Sequence, residues 1–244
     1  MKPCDISVII PVFHEQAVIS ETLESLLAGR FDGTWEIIVV DGDPEGTTLK
    51  AIRDDRALKA ASEKGRGKQM NQGALLAGGE IVLFLHADTE IPPDGLARIC
   101  SVMRQSKYVG GSFDLRIRSH KLRFRLIERI ASLRSRITRI PYGDQAIFLR
   151  REYFLRIGGF LEVPLMEDVE LMRRIKHSGG KICILGERVV TSARRWETEG
   201  VVYCTLRNWV LMLFYLLGVP PDRLAKFYSN HTEESRLKRK AGKD

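Results

Sequence analysis

The sequence predicts an α/β fold with a mostly parallel central sheet and helices on both faces. Three observations predict it. Short runs of Ile, Val and Leu, without polar alternation, read as strands buried on both sides. Segments of helical period separate them. The runs end on acids, histidine or glycine turns, at the carboxyl ends where ligands gather in such sheets.

Taken in order, Ile6–Pro11 is an apolar run closed by proline, a first buried strand. Glu15–Leu27 carries Val18, Ile19, Leu23, Leu26 and Leu27 at helical spacing and stops at Gly29. Glu36–Asp41 is a second strand, 67–77 a helix, Glu80–His86 a third strand and 93–104 a helix. The second half is less regular. Residues 112–118 alternate like a strand with one wet face, 120–139 form a basic helix, 145–150 a strand and 166–177 a helix. Short strands follow at 181–185 and 189–192, then a helix over 200–217 and a last one after Pro220-Pro221.

The 244 residues suit one domain over 1–228, followed by a polar, basic tail over 229–244. With 44% hydrophobic and 29% charged residues the chain reads as folded and globular. A net charge of +8 points to anionic partners such as phosphorylated small molecules or anionic lipid. Cys4, Cys100, Cys183 and Cys204 are widely spaced, which suggests reduced thiols in a cytoplasmic protein rather than zinc ligands or a disulfide framework. The N-terminus shows no signal-peptide pattern, and the apolar run Trp209–Leu217 is about half the ~20 residues of a membrane span.

Several residues are placed to carry chemistry. Asp88 follows the third strand, where a carboxylate can bind Mg²⁺ or Mn²⁺ bridging substrate phosphates, or simply cap a turn. Glu167-Asp168 opens a helix, as dipole-favoured acids or as a general base with its neighbour. Gly65-Arg66-Gly67-Lys68 joins a loop to a helix and can cradle phosphate, although it matches neither a P-loop nor a dinucleotide fingerprint. Between Arg116 and Arg139 there are nine Lys or Arg and one acid, Glu128. Leu122, Leu126, Ile130, Leu133 and Ile137 form one apolar stripe there. That stripe packs on the core or lies on an anionic membrane. Nucleic acid is disfavoured, because only Phe124 interrupts the basic residues with an aromatic ring.

Together these segments resemble the family 2 glycosyltransferases of GT-A fold. The resemblance is carried by Val8-Ile9-Ile10-Pro11-Val12-Phe13-His14-Glu15, Val39-Val40-Asp41-Gly42, Gly65-Arg66-Gly67 with Asn71-Gln72-Gly73-Ala74, and Gly79–Thr89. Gly158-Gly159-Phe160 and Glu167-Asp168 complete it, over roughly residues 6–196. A small bacterial subgroup with His-Ala-Asp-Thr and Ser-Ala-Arg-Arg-Trp is especially similar. The resemblance implies a nucleotide-diphosphate sugar donor, most simply UDP-linked, in a pocket shaped by Pro11 and Glu15. Asp41 would bond the base and Arg66 would lie near base or diphosphate. Asp88 would be the metal-side acid of the D-x-D motif, Asp168 the catalytic base and Glu167 its companion. His86 replaces the first acid of D-x-D and is a nucleotide-sugar-site candidate. Ser192 stands where processive synthases carry Gln, which implies single additions.

The expected reaction is therefore an inverting transfer to a hydroxyl acceptor, in one form lipid-linked, by a cytoplasmic protein able to sit on the inner face of the membrane. A sugar nucleotidyltransferase and a non-catalytic basic membrane or nucleic-acid binder are the competing readings.

Overall fold

The computed structural model describes residues 5–228; the tail expected over 229–244 and Cys4 lie outside the described residues. Strands β1 (Ile6–Val12), β2 (Trp35–Asp41), β3 (Ala57–Ala61) and β4 (Ile81–Phe84) form a parallel block in the order β3-β2-β1-β4. The sheet continues antiparallel through β7 (Phe148–Arg150) to β6 (Gly110–Arg118), and β8 (Ile182–Ser192) runs parallel to β6. The two-residue β5 (Thr89–Glu90) closes the far edge of this eight-stranded sheet, antiparallel to β8. This is the α/β, GT-A-like architecture expected, with antiparallel pairs confined to the second half.

Alternation along β1 supplies both cores. Ile6, Val8, Ile10 and Val12 meet α1 (Ile19–Leu27), α4 (Gly95–Met103) and Phe124 on one face. Ile9 turns the other way, to α3 (Arg66–Leu76), α6 (Arg151–Arg156) and α7 (Glu167–His177). The β runs lack polar alternation because both faces are covered.

Two polar clamps set the carboxyl edge. Gln69 of α3 donates from Nε2 to the carbonyls of Val12 (2.6 Å) and Val40 (2.9 Å), tying the ends of β1 and β2 together. Asn71 bonds both ways with the backbone of Phe160, at 2.9 Å each, which seats the Gly158-Gly159-Phe160 turn on α3. Gly158 (φ 86°) and Gly159 (φ 65°) provide the left-handed backbone that ends α6 there.

Some boundaries differ from expectation. The first helix starts at Ile19, because residues 15–18 are spent in turns. Residues 143–145 form a 3₁₀ turn, so the strand expected over 145–150 begins at Phe148. The two strands expected over 181–192 are one continuous β8. The thiols are not all reduced: Cys183 and Cys204 are free, but Cys100 is disulfide-bonded, which removes the ground for inferring a reducing compartment.

Two helices turn apolar faces outward. α5 (Leu122–Thr138) buries Phe124, Glu128 and Ser135, while its leucine and isoleucine stripe, for which the sequence left core and membrane both open, faces away from the core, with Leu122 84% and Ile137 72% exposed. α9 (Val201–Leu216) does the same: it buries Cys204, Arg207 and Leu211 and exposes most of its apolar residues.

α5 is turned this way by β6. Beyond Gly111 that strand has no partner on its β7 side. Glu128 accepts from the Ile117 N–H (2.7 Å), Ser132 from the Leu115 N–H (3.3 Å), and Gln145 donates to the Phe113 carbonyl (3.0 Å). An open edge demands polar partners, and the helix presents its polar row to supply them.

Gly73 lies on α3 where a Cβ would collide with the side chain of Ile9 in β1. Gly73→Ala is expected to destabilise the fold by about 1–3 kcal/mol, as over-packed cores do, despite alanine's better helix propensity. Urea denaturation of the two proteins checks this; equal midpoints would show that the α3–β1 contact has slack.

Candidate active site

A cavity of about 730 Å³ opens at the carboxyl ends of β1, β4 and β8, against the first turn of α7. It gathers residues far apart in the chain: Glu15, Arg66, His86, Asp88, Glu167 and Asp168 all line it. Six of the eight sequence candidates therefore converge. The other two do not line it. Pro11 is half-buried within β1, in register with Val40. Asp41 is fully buried, and its carboxylate is consumed by the amides of Asp43 (2.9 Å), Thr48 (3.2 Å) and Leu49 (3.4 Å). Three local amides, from the loop after β2 and the start of α2 (Thr47–Ala51), hold that carboxylate and shape the loop with it.

Asp168 is the most tightly placed acid. Its Oδ2 accepts the Gly143 N–H at 2.6 Å and its Oδ1 the Val169 N–H at 2.7 Å, at the start of α7 where the helix dipole favours an anion. Gly143 stands between Asp168 and His86: a Cβ on it would lie 2.9 Å from His86 Nε2 and 3.4 Å from Asp168 Oδ2. The residue preceding Glu167-Asp168, Met166, lines the cavity with φ 66°. A left-handed, non-glycine residue stores strain, and such strain concentrates at sites of function.

Charges in the cavity are interlocked. Glu167 is 4% exposed and its Oε1 lies 3.3 Å from Arg66 Nε without a hydrogen bond, an open acceptor among the described residues. Burial pushes the Glu167 carboxyl up from its ordinary value, Arg66 opposes this, and Asp168 adds to it. Arg66 is held firmly protonated by Glu167. Arg194 reaches Glu15 at 3.2 Å and Asp88 at 3.8 Å. Burial, with Arg66 and Arg195 nearby, lowers His86 to about 3, so it is a neutral imidazole at physiological pH.

The cradle expected at Gly65–Lys68 is half present. Arg66 enters the cavity, but Lys68 turns away to Glu63 and Glu162. Conversely, Arg194-Arg195-Trp196, part of the Ser-Ala-Arg-Arg-Trp run, lines the cavity on α8 (Arg194–Glu199).

Sequence reasoning missed Tyr142, Gly143 and Asp144. Asp144 lines the cavity, and burial raises it to about 6; Arg134 opposes the rise and Asp168 strengthens it. The available signal was the Tyr-Gly-Asp-Gln run before β7, a turn pattern with an acid. Gln145 pins this turn: its Oε1 accepts the Tyr142 N–H (3.2 Å), while its Nε2 donates to Phe113 O and Ser135 Oγ (3.1 Å).

For a divalent cation, the described residues hold no group of three His, Cys, Asp or Glu. Asp88, partly exposed in the cavity, suits a hard cation that takes one or two carboxylates and completes its shell with substrate phosphates and water. The donor set does not suit a dedicated all-protein cage.

The profile of glycosyl transferase family 2 matches residues 7–160. An undecaprenyl-phosphate 4-deoxy-4-formamido-L-arabinose transferase of Sodalis glossinidius is 27% identical over 160 residues, covering 62% of this chain and 49% of that protein. The match thus spans about half of that relative's length. Among solved structures, Staphylococcus aureus TarS 1–349 superposes with TM-score 0.61 at 19% identity, covering 78% of this chain and 60% of that one. The Pyrobaculum calidifontis mannosyltransferase PcManGT, in complex with GDP-Man and Mn²⁺, superposes with TM-score 0.60 at 24% identity, covering 78% and 57%. At these identities the structural likeness establishes the fold.

A carboxyl raised from 3.8 to about 6 on folding binds more protons in the folded state between those values. Its contribution to stability is present at low pH and lost as pH rises through about 6. Asp144→Asn should therefore raise the melting temperature at about pH 7.5 more than at about pH 4, where the buried Asp144 of the folded protein is neutral, as Asn is. Melting curves at both values test this; equal increments would mean Asp144 is not desolvated.

Proposed function

The chain belongs to glycosyl transferase family 2, and from that premise we propose that it transfers a sugar, with inversion, from a nucleotide-diphosphate donor to an acceptor hydroxyl. UDP is the expected nucleotide, and the acceptor is read as lipid-linked. The observation that carries the reading is one cavity holding a fixed carboxylate, Asp168, together with three arginines, Arg66, Arg194 and Arg195. That combination suits a base for the attacking group and cations for the departing one.

In this reading Asp168 removes the acceptor hydroxyl's proton as its oxygen attacks the anomeric carbon from the face opposite the diphosphate. The bond from anomeric carbon to phosphate oxygen breaks, its electron pair leaves on the diphosphate, and one displacement inverts the carbon. The Gly143 amide and the start of α7 hold the carboxylate in place. Arg66 and Arg194 neutralise the leaving diphosphate, each exchanging an internal acid, Glu167 or Glu15, for phosphate oxygens. His86, uncharged, offers a hydrogen bond to a donor hydroxyl. Asp88 would hold Mg²⁺ or Mn²⁺ jointly with the phosphates; when bound, the ion supplies Lewis-acid stabilisation of the leaving group. The undecaprenyl-phosphate named for the Sodalis relative supports the lipid part of this reading; the hydroxyl is read from the placement of Asp168.

Screening nucleotide sugars by thermal shift with and without Mn²⁺ identifies the donor, since a ligand at 100 Kd adds about 2.7 kcal/mol. Silence across UDP-, GDP- and dTDP-sugars would sink the proposal. With the donor known, Asp168→Asn should lower kcat about 10²–10⁴-fold while donor stabilisation persists. Asp88→Ala should abolish the Mn²⁺-dependent part of donor stabilisation; a variant that keeps it places the metal elsewhere.

A further inference from the structure

We propose that the outward faces of α5 and α9 form one docking surface for an anionic lipid bilayer. The proposal rests on the lipid-linked acceptor reading for its purpose, and on the exposed faces themselves for its chemistry.

On α5, Leu122, Leu126, Ile130, Leu133 and Ile137 form an exposed ridge at successive helical turns. With 100° per residue, exposed Arg123 flanks the ridge on one side and exposed Arg129 on the other, while Arg134 and Arg136, also at its borders, turn their guanidiniums to Gln145 and Tyr142 and to Asp114. On α9 the exposed face carries Tyr203, Leu206, Trp209, Val210, Leu213 and Phe214, without a charged residue among them. No helix among the described residues is long and apolar enough to cross a membrane. An apolar strip bordered by arginine, beside an aromatic-rich apolar face, suits a helix pair lying in the plane of the headgroups.

The two helices are tied at both ends. At the start, Phe124 of α5 packs edge-on against Trp196, 6.2 Å between ring centres, and Lys121 reaches Glu197 at 3.7 Å; α8 then leads directly into α9. At the other end, Lys176 of α7 donates to the Thr138 carbonyl (3.1 Å), while Arg173 of α7 stacks on Tyr215 of α9. They therefore frame one side of the molecule. The cavity borders these elements: Trp196 from α8 and Asn208 and Leu211 from the inner face of α9 line it.

Charge selects the occupant. A second copy meeting the same face isologously would set the arginine borders against themselves. An anionic headgroup layer complements them. Past Tyr228 the sequence adds five Lys or Arg against the three acids Glu233, Glu234 and Asp244.

The test is flotation of the full chain with vesicles of phosphatidylcholine alone and of phosphatidylcholine with phosphatidylglycerol. The wild type is expected to float with the anionic vesicles and stay behind with the neutral ones. Leu126→Gln with Leu133→Gln, and separately Leu213→Gln with Phe214→Ser, should each weaken partitioning about tenfold or more, by the apolar burial lost. Arg123→Gln with Arg129→Gln should weaken it only on anionic vesicles. Wild type that remains in solution with anionic vesicles overturns the proposal. So does lipid-free self-association that the same leucine variants abolish, which assigns the face to a second copy. Donor-induced thermal stabilisation of the variants, measured without lipid, separates this outcome from failure of the transferase reading.

Discussion

Much of this structure follows from one unsatisfied strand edge. β6 leaves β7 after Gly111, and the backbone groups of Phe113, Leu115 and Ile117 on that side must find partners. A buried amide left unpaired costs about 1–3 kcal/mol, so three such groups weigh heavily against a domain's net stability. Glu128, Ser132 and Gln145 meet the demand. Glu128, 3% exposed, is balanced in turn by Arg125 at 2.8 Å. Gln145 goes further, fixing the turn that carries Gly143 and Asp144 into the cavity. Satisfying a strand edge and placing an amide on Asp168 are thus parts of one network.

The same constraint explains the exposed leucines. α5 has two apolar rows, an inner one around Phe124, Ile127 and Ala131 and an outer one of larger residues. The inner face also carries the polar groups that β6 requires. Turning the outer row inward would bury more apolar surface, but would take Glu128 and Ser132 away from the edge. α9 follows a similar logic: Arg207 is buried with Glu199, and Tyr228 stacks over it, so its polar anchor points inward and its apolar face outward.

Within the cavity, acids and arginines are paired with one another: Arg66 with Glu167, Arg194 with Glu15 and Asp88. These pairs keep several like charges together at tolerable cost, since each cation offsets a neighbouring acid. An anionic ligand competes for the same arginines, and Glu167, with one oxygen already lacking a hydrogen bond, is the acid readiest to change partners.

The sequence by itself determined the layered α/β class, the main strands and helices, and six of the residues that meet in the cavity. Unbroken apolar runs, strand-end residues such as His86 and Asp88, and the helix-opening Glu167-Asp168 pair are local signals, written in consecutive residues. Tertiary structure alone decided what depended on distant backbone. Asp41 looked like the other strand-end acids, but three loop amides closed around it. Asp144 drew no attention in the sequence, and only the turn pinned by Gln145 and joined to Asp168 through Gly143 carries it into the cavity. The leucines of α5 had the period of a core stripe. Periodicity shows that a helix has an apolar face; which way that face turns was set by a strand edge eleven or more residues away, whose hydrogen-bonding needs leave no mark in the helix's own pattern.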